Sequence, residues 1–103
     1  MEPTTERQDG LFVRTLYPGA IINLETQNRR YRIEYLSGDA VRISGHPSWC
    51  PAPVEMKLEG SISGGKDLKP GFIGRGMCLV FGRPEEGLSV TTSEILSVRI
   101  SEN

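Results

Sequence analysis

Residues 60–67, GSISGGKD, carry the spacing that comes nearest to a known chemical motif. Gly60, Gly65 and Lys66 match the P-loop pattern G-x-x-x-x-G-K-[ST], whose backbone amides and lysine hold nucleotide phosphates. Asp67 stands where the motif needs a Ser or Thr hydroxyl to bind Mg²⁺, and it would bring a carboxylate to the phosphates. The following residues, DLKPG, exclude the helix that a P-loop starts. The sequence therefore predicts a glycine turn between two strands here.

His46 and Cys50 lie four residues apart and are the second candidate for chemistry. Such a pair could be a nucleophile with its base, or half of a metal site. A structural zinc site needs about four converging ligands, whereas the chain has one histidine and two cysteines. A loop histidine beside a proline is more often simply solvated. We therefore expect no catalytic residues, no metal and no cofactor.

Cys50 and Cys78 should be separate thiols, with Cys78 buried inside the apolar run MCLVF.

A third group of side chains is suited to binding. Strand alternation directs Arg30, Arg32 and Arg42 outward, where they could form a stripe across two adjacent strands. Small β-barrels bind single-stranded nucleic acid with a basic groove and exposed aromatic side chains. Trp49 lies in the proline-flanked loop HPSWC and could stack on a base. The candidate surface comprises Arg29, Arg30, Arg32, Arg42 and Trp49.

A simpler interpretation of this surface stays open. The arginines could form a solvated face interleaved with Glu25 and Glu34, and Trp49 could fold back to close one end of a barrel. The net charge of −1 means that any nucleic-acid role depends on a local basic patch.

Short strands must position these residues. AIINLET, RRYRIEYLS and AVRIS alternate apolar and polar residues, and Gln27–Asn28 and Gly38–Asp39 read as the turns of a meander. VEMKLEG alternates again, FIGRGMCLVFG reads as one central strand with glycine kinks, and LSVTTSEILSVRI as two strands separated by a break. No run of 11 or more residues keeps a helical pattern free of Gly and Pro.

The chain of 103 residues fits one domain, with 1–10 as a flexible N-terminal tail and 11–103 as a single β-barrel. We predict an all-β barrel of about six short strands, SH3-like or Sm-like, with at most one helical turn near Thr92–Glu94. No apolar run is long enough to span a membrane, and the polar start MEPTTERQDG does not resemble a secretory signal, which favours the cytoplasm.

Three segments resemble uncharacterised small bacterial all-β proteins. The resemblance covers roughly residues 18–100 and implies a single β domain, but it implies no activity. Its residues are strand and glycine positions: Leu24, Glu25, Thr26, Asn28, Tyr31 and Ile33 in the first segment, Gly64, Gly65, Gly71, Ile73, Gly74, Gly76 and Met77 in the second, and Thr91, Thr92, Ser93 and Ile95 in the third.

Two functions follow as expectations. The first is a non-enzymatic module that binds another protein or assembles with itself, because a small barrel leaves strand edges that proteins pair or cover. The alternative is single-stranded nucleic-acid binding through the arginine-rich strand face. No membrane partner is expected.

Overall fold

The computed structural model of the chain describes residues 5–8, 10–64 and 67–101, and for residues 5–8 only the backbone. Ten strands account for most of it. They are β1 Thr5–Gln8, β2 Gly10–Phe12, β3 Ile21–Thr26, β4 Arg30–Ser37, β5 Ala40–Ser44, β6 Val54–Ile62, β7 Leu68–Pro70, β8 Phe72–Gly74, β9 Cys78–Arg83 and β10 Leu88–Ser101. None of the described helical segments is long and apolar enough to cross a membrane.

Six of these strands close into an antiparallel ring in the order β3–β4–β5–β6–β9–β10. The predicted all-β barrel of about six strands is confirmed. β10 completes the ring because its first half pairs with β9 and its second half with β3. A separate pair, β2 and β8, lies outside the ring, and β7 adds to the edge of β6.

Period-two alternation fills the barrel interior as predicted. Ile22 and Leu24 of β3 and Tyr31, Ile33 and Tyr35 of β4 are all buried in one core, while the residues between them face outward. Burying each such side chain contributes about 1.5–3 kcal/mol. The predicted meander of β3, β4 and β5 is therefore specified by local sequence.

The run FIGRGMCLVFG is not the single strand that was predicted. It divides into β8, which pairs with β2, and β9, which belongs to the ring. Gly76 lies between them with φ of +87°, a left-handed conformation that favours glycine and turns the chain. The apolar character of the run reflects burial in two different sheets.

No helical turn forms at Thr92–Glu94, where at most one was expected. These residues are extended within β10, where the β9 pairing shifts register between Thr91 and Glu94. The Thr92 hydroxyl takes up the irregularity, since it accepts the backbone N–H of Leu79 at 3.0 Å instead of capping a helix. The short 3-10 turns lie at Val13–Thr15 and Pro84–Glu86.

Part of the segment predicted as a tail forms paired strands. β1 pairs with the last residues of β10, and β2 begins at Gly10. β1 can pair with β10 because β10 is longer than its partner β9, which pairs with it only as far as Glu94. The far half of β10 therefore offers a free edge to another strand.

Candidate binding surfaces

The β3–β4 hairpin sets the position of the predicted arginines. Its turn is closed at Thr26, whose backbone N–H donates to the carbonyl of Arg29 and whose hydroxyl oxygen accepts the Arg29 N–H at 3.1 Å. Because Tyr31 and Ile33 point into the core, Arg30 and Arg32 point outward from β4, as predicted.

The strand register extends this face across four strands. Arg99 of β10 lies opposite Asn23 of β3, Asn23 opposite Arg32 of β4, and Arg32 opposite Ser44 of β5. We call these four residues the arginine row. Strand neighbours lie about 4.8 Å apart, so the row spans about 14 Å. Neither Arg32 nor Arg99 forms an ion pair with any described residue.

Carboxylates occupy the cross-strand rows on either side. On one side Glu25 lies opposite Arg30, at 4.0 Å from the Arg30 Nε. Both side chains are exposed, so this ion pair contributes little and Arg30 can exchange partners. A shallow groove lined in part by Glu25, Arg30 and Arg99 runs along this side.

The row on the other side of the arginine row is acidic. Arg42 faces outward as predicted, but it donates to Glu34 at 2.9 Å and lies opposite Glu55 in the pairing with β6. Two carboxylates therefore surround one guanidinium. Arg42 adds no unpaired positive charge to the predicted stripe.

The loop that carries Trp49 begins directly after Ser44, the β5 residue of the arginine row. Gly45 packs so closely against β4 that a Cβ there would lie 2.2 Å from the Arg30 carbonyl oxygen. The loop then closes on itself, since the Cys50 carbonyl accepts the N–H groups of Gly45 and His46. Trp49 is 50% exposed, with its ring centroid 6.2 Å from that of His46. Trp49 is therefore exposed, whereas the arginines are interleaved with Glu25 and Glu34 as in the simpler interpretation.

His46 holds this loop through one ring nitrogen. Its Nδ1 atom accepts the backbone N–H of Ser48 at 3.1 Å and that of Trp49 at 3.2 Å. Burial, and then the charge of Arg29, lower the pKa of His46. Both effects favour the neutral imidazole that these two hydrogen bonds require.

The two cysteines are separate thiols, as predicted, but the prediction that Cys78 is buried is wrong. Cys50 is fully buried and Cys78 is only partly buried, because Cys78 opens β9 at the edge of the barrel. Burial raises the pKa of Cys50, and a hydrogen bond from the His46 backbone offsets this only in part. Since His46 Nδ1 already accepts two amides, the arrangement does not activate Cys50 as a nucleophile.

A second surface, which sequence reasoning missed, lies on the other side of the ring. A groove of about 480 Å³ opens where β6 changes its partner from β5 to β7. We call it the edge groove. Its lining consists of Phe12, Arg14, Asp39, Lys57, Glu59, Leu68, Pro70 and Gly71.

The apolar side chains of the edge groove stand in a defined arrangement. Phe12 and Phe72 pair across β2 and β8 with ring centroids 4.9 Å apart, and Lys69 Nζ lies 4.1 Å from the Phe72 centroid. Leu68 is 42% exposed and Phe12 is 45% exposed. Arg14 donates to both carboxylate oxygens of Asp39, at 3.2 and 3.1 Å. The groove therefore combines exposed apolar side chains with charged ones, of which Arg14 and Asp39 pair with each other.

Of the three residues that match the P-loop spacing, the structure describes Gly60, and its close packing explains why a glycine stands there. Gly60 lies within β6 with φ of +143°, where a Cβ would meet the Lys69 carbonyl oxygen. It allows β7 to approach β6. Gly65 and Lys66 lie outside the described residues. Among the residues that are described, no group of three or more His, Cys, Asp or Glu side chains could hold a metal ion.

The structure places Arg30 and Arg32 on the outer face of β4, brings Arg29 near His46 of the Trp49 loop, and sets Arg42 apart in an ion pair. It also adds Arg99, which the sequence analysis did not select. Alternation in LSVRI places Arg99 outward, but its position beside β3 depends on a pairing between distant parts of the chain.

No protein-family model, no curated protein and no solved structure matches this chain. The resemblance to uncharacterised bacterial all-β proteins, and the likeness to SH3-like or Sm-like barrels, therefore stay predictions.

Proposed function

We propose that this chain is a non-enzymatic binding module that receives an extended polypeptide segment in the edge groove, either from a partner protein or from a second copy. The observation that carries the proposal is the coincidence of an edge strand with exposed apolar side chains. Within the described residues β7 pairs with β6 alone, and the exposed side chains of Leu68 in β7 and Phe12 in β2 line the same groove.

An edge strand offers unpaired backbone N–H and C=O groups to another chain, and an extended peptide can add to it as a further strand. β7 has three residues and ends at Pro70, which lacks an N–H. Few backbone hydrogen bonds are available there, so contacts with Phe12 and Leu68 must supply most of the affinity.

The polar side of the groove suits a binding role better than a catalytic one. Arg14 and Asp39 already satisfy each other, and the described lining carries no hydroxyl, thiol or imidazole group. Hydroxyl, thiol and imidazole groups commonly serve as nucleophiles or bases. Lys57 and Glu59 are the ionisable lining residues outside the Arg14–Asp39 pair.

Two measurements test the proposal and separate the two sources of the segment. Sedimentation velocity over a range of concentrations reports self-association, and selection from a random peptide display library reports binding of foreign segments. We expect one of them to be positive, and Phe12→Ser/Leu68→Ser to abolish it. Tyr17→Ser is the matched control, because Tyr17 is 79% exposed and lies outside the groove.

A monomer at all concentrations that also selects no peptides would contradict the proposal. Equal binding by the wild type and the double variant would place the site elsewhere.

A further inference from the structure

A different face of the barrel has the chemistry to bind a phosphodiester chain. We infer that the arginine row holds the backbone of single-stranded nucleic acid, with Arg99 and Arg32 on phosphates and Trp49 stacked on a base. This site is independent of the edge groove, since β3 and β4 lie opposite β6 and β9 in the ring.

The distribution of charged side chains defines the path of the nucleic-acid backbone across this face. Within the described strands, the arginine row carries two unpaired guanidinium groups, one amide and one hydroxyl, and no carboxylate. The row through Glu34 and Glu55 repels a polyanion and bounds the path on one side. Arg30, held only by a long and exposed pair with Glu25, borders the other side and can turn toward a phosphate.

A residue able to stack on a base lies in the loop that follows Ser44. Ser44 is the last residue of β5, and Gly45 leads at once into the loop that exposes Trp49. Guanidinium groups that track the backbone and an aromatic ring that accepts a base are the two parts of sequence-tolerant single-strand binding. Trp49 is the only tryptophan in the chain, so its fluorescence reports this one position.

The test is fluorescence anisotropy with a labelled oligothymidylate of about 12 nucleotides, with Trp49 emission recorded in parallel. We expect binding at about 50 mM NaCl with quenching of Trp49. Contacts with three phosphates, at Arg30, Arg32 and Arg99, give a slope of log K against log[salt] of about −2, since each phosphate on a single strand contributes about −0.7.

Variants then locate the path. Arg32→Ala and Arg99→Ala should each weaken binding about tenfold, as loss of a charge-assisted hydrogen bond does, and should flatten the salt slope by about 0.7. Arg83→Ala is the matched control and should change neither, because it removes a guanidinium that is paired with Glu86 and that belongs to β9, the strand opposite β4 in the ring. Trp49→Ala should weaken binding at least fivefold and Trp49→Phe much less.

Absence of oligothymidylate binding by the wild type at low salt would overturn the inference, as would an Arg83→Ala loss equal to that of Arg32→Ala. Polyphosphate and polyglutamate serve as competing anions. Two results together would make the inference fail: displacement of the oligonucleotide by either competitor at equal charge, and no change of Trp49 emission when the oligonucleotide binds. The face would then be an unspecific anion surface.

Discussion

His46 acts as an acceptor for two backbone amides, and this makes the loop around Trp49 sensitive to pH. Protonation would turn Nδ1 into a donor facing the N–H groups of Ser48 and Trp49. Because burial and Arg29 lower the pKa of His46 in the folded state, the unfolded chain binds more protons at mildly acidic pH. The contribution to stability is complete above the ordinary value of 6.5 and is lost as the pH falls through the lowered pKa.

We therefore expect the free energy of unfolding to decrease between neutral and mildly acidic pH, with a change in Trp49 emission over the same range. Urea titrations at several pH values measure the first, and emission spectra of the folded protein measure the second. His46→Asn is the control, since an Asn side-chain oxygen also accepts backbone amides two residues ahead and does not titrate. The same pH dependence in His46→Asn would assign the effect to another group.

Gly45 connects the arginine strands to the Trp49 loop and should not tolerate a side chain. Its φ is +129°, and a Cβ would meet the Arg30 carbonyl oxygen and the Tyr31 Cα. We expect Gly45→Ala to lower the free energy of unfolding by about 2–4 kcal/mol. Gly38→Ala is the comparison, because Gly38 has φ of +56° with open space around it and should lose about 1 kcal/mol. Thermal unfolding of both variants decides whether the close approach or the backbone conformation causes most of the loss of stability at Gly45.

At the residue scale, alternation predicted the facing of Arg30, Arg32 and Arg42 correctly, because facing is a property of a single strand. It did not predict that Glu34 neutralises Arg42 or that Arg99 joins Arg32. Those relations depend on register and on pairing between distant strands, and a local pattern does not encode them.

At the element scale, β10 pairs with both of its neighbours in the ring, β9 and β3, and Thr92 lies where the β9 pairing is interrupted. Its buried hydroxyl accepts the Leu79 amide and donates to the Ser93 carbonyl at 2.7 Å, where the ladder to β9 is interrupted. We expect Thr92→Val, which keeps the shape, to leave a buried amide unpaired and to cost about 1–3 kcal/mol. Thr91→Val, at an exposed neighbour in the same strand, should change stability by less than about 0.5 kcal/mol. Equal effects in chemical denaturation would show that the hydroxyl has no special role.

The strands that the sequence analysis placed well are those bounded by ordinary turns and filled by strict alternation. β3, β4 and β5 are examples, with turns at Gln27–Asn28 and Gly38–Asp39. The elements it misplaced are those where a bulge or a glycine redirects the chain. At Thr92 and at Gly76 the local pattern is compatible with both a break and a continuing strand, and only tertiary pairing decides between them.

For the whole molecule, one core unites the ring and the outer β2–β8 pair. Phe81 is fully buried and its ring packs against Tyr31 from the other side of the barrel, with centroids 5.9 Å apart. Phe81→Ala should cost about 3–5 kcal/mol, a large part of the 5–15 kcal/mol typical of such a domain. Leu96→Ala, at an exposed position of β10, should cost less than about 1 kcal/mol. A small loss at Phe81 in urea denaturation would contradict the single-core description.

The dual pairing of β10 also has a consequence during synthesis. The first partners of the ring, β3, β4 and β5, can pair as soon as they are made because they are neighbours in sequence. Closure must wait until residues as late as Ser101 have emerged from the ribosome, since β3 has no second ring partner before then. Until that moment β3 presents an open edge of the kind that pairs with other chains.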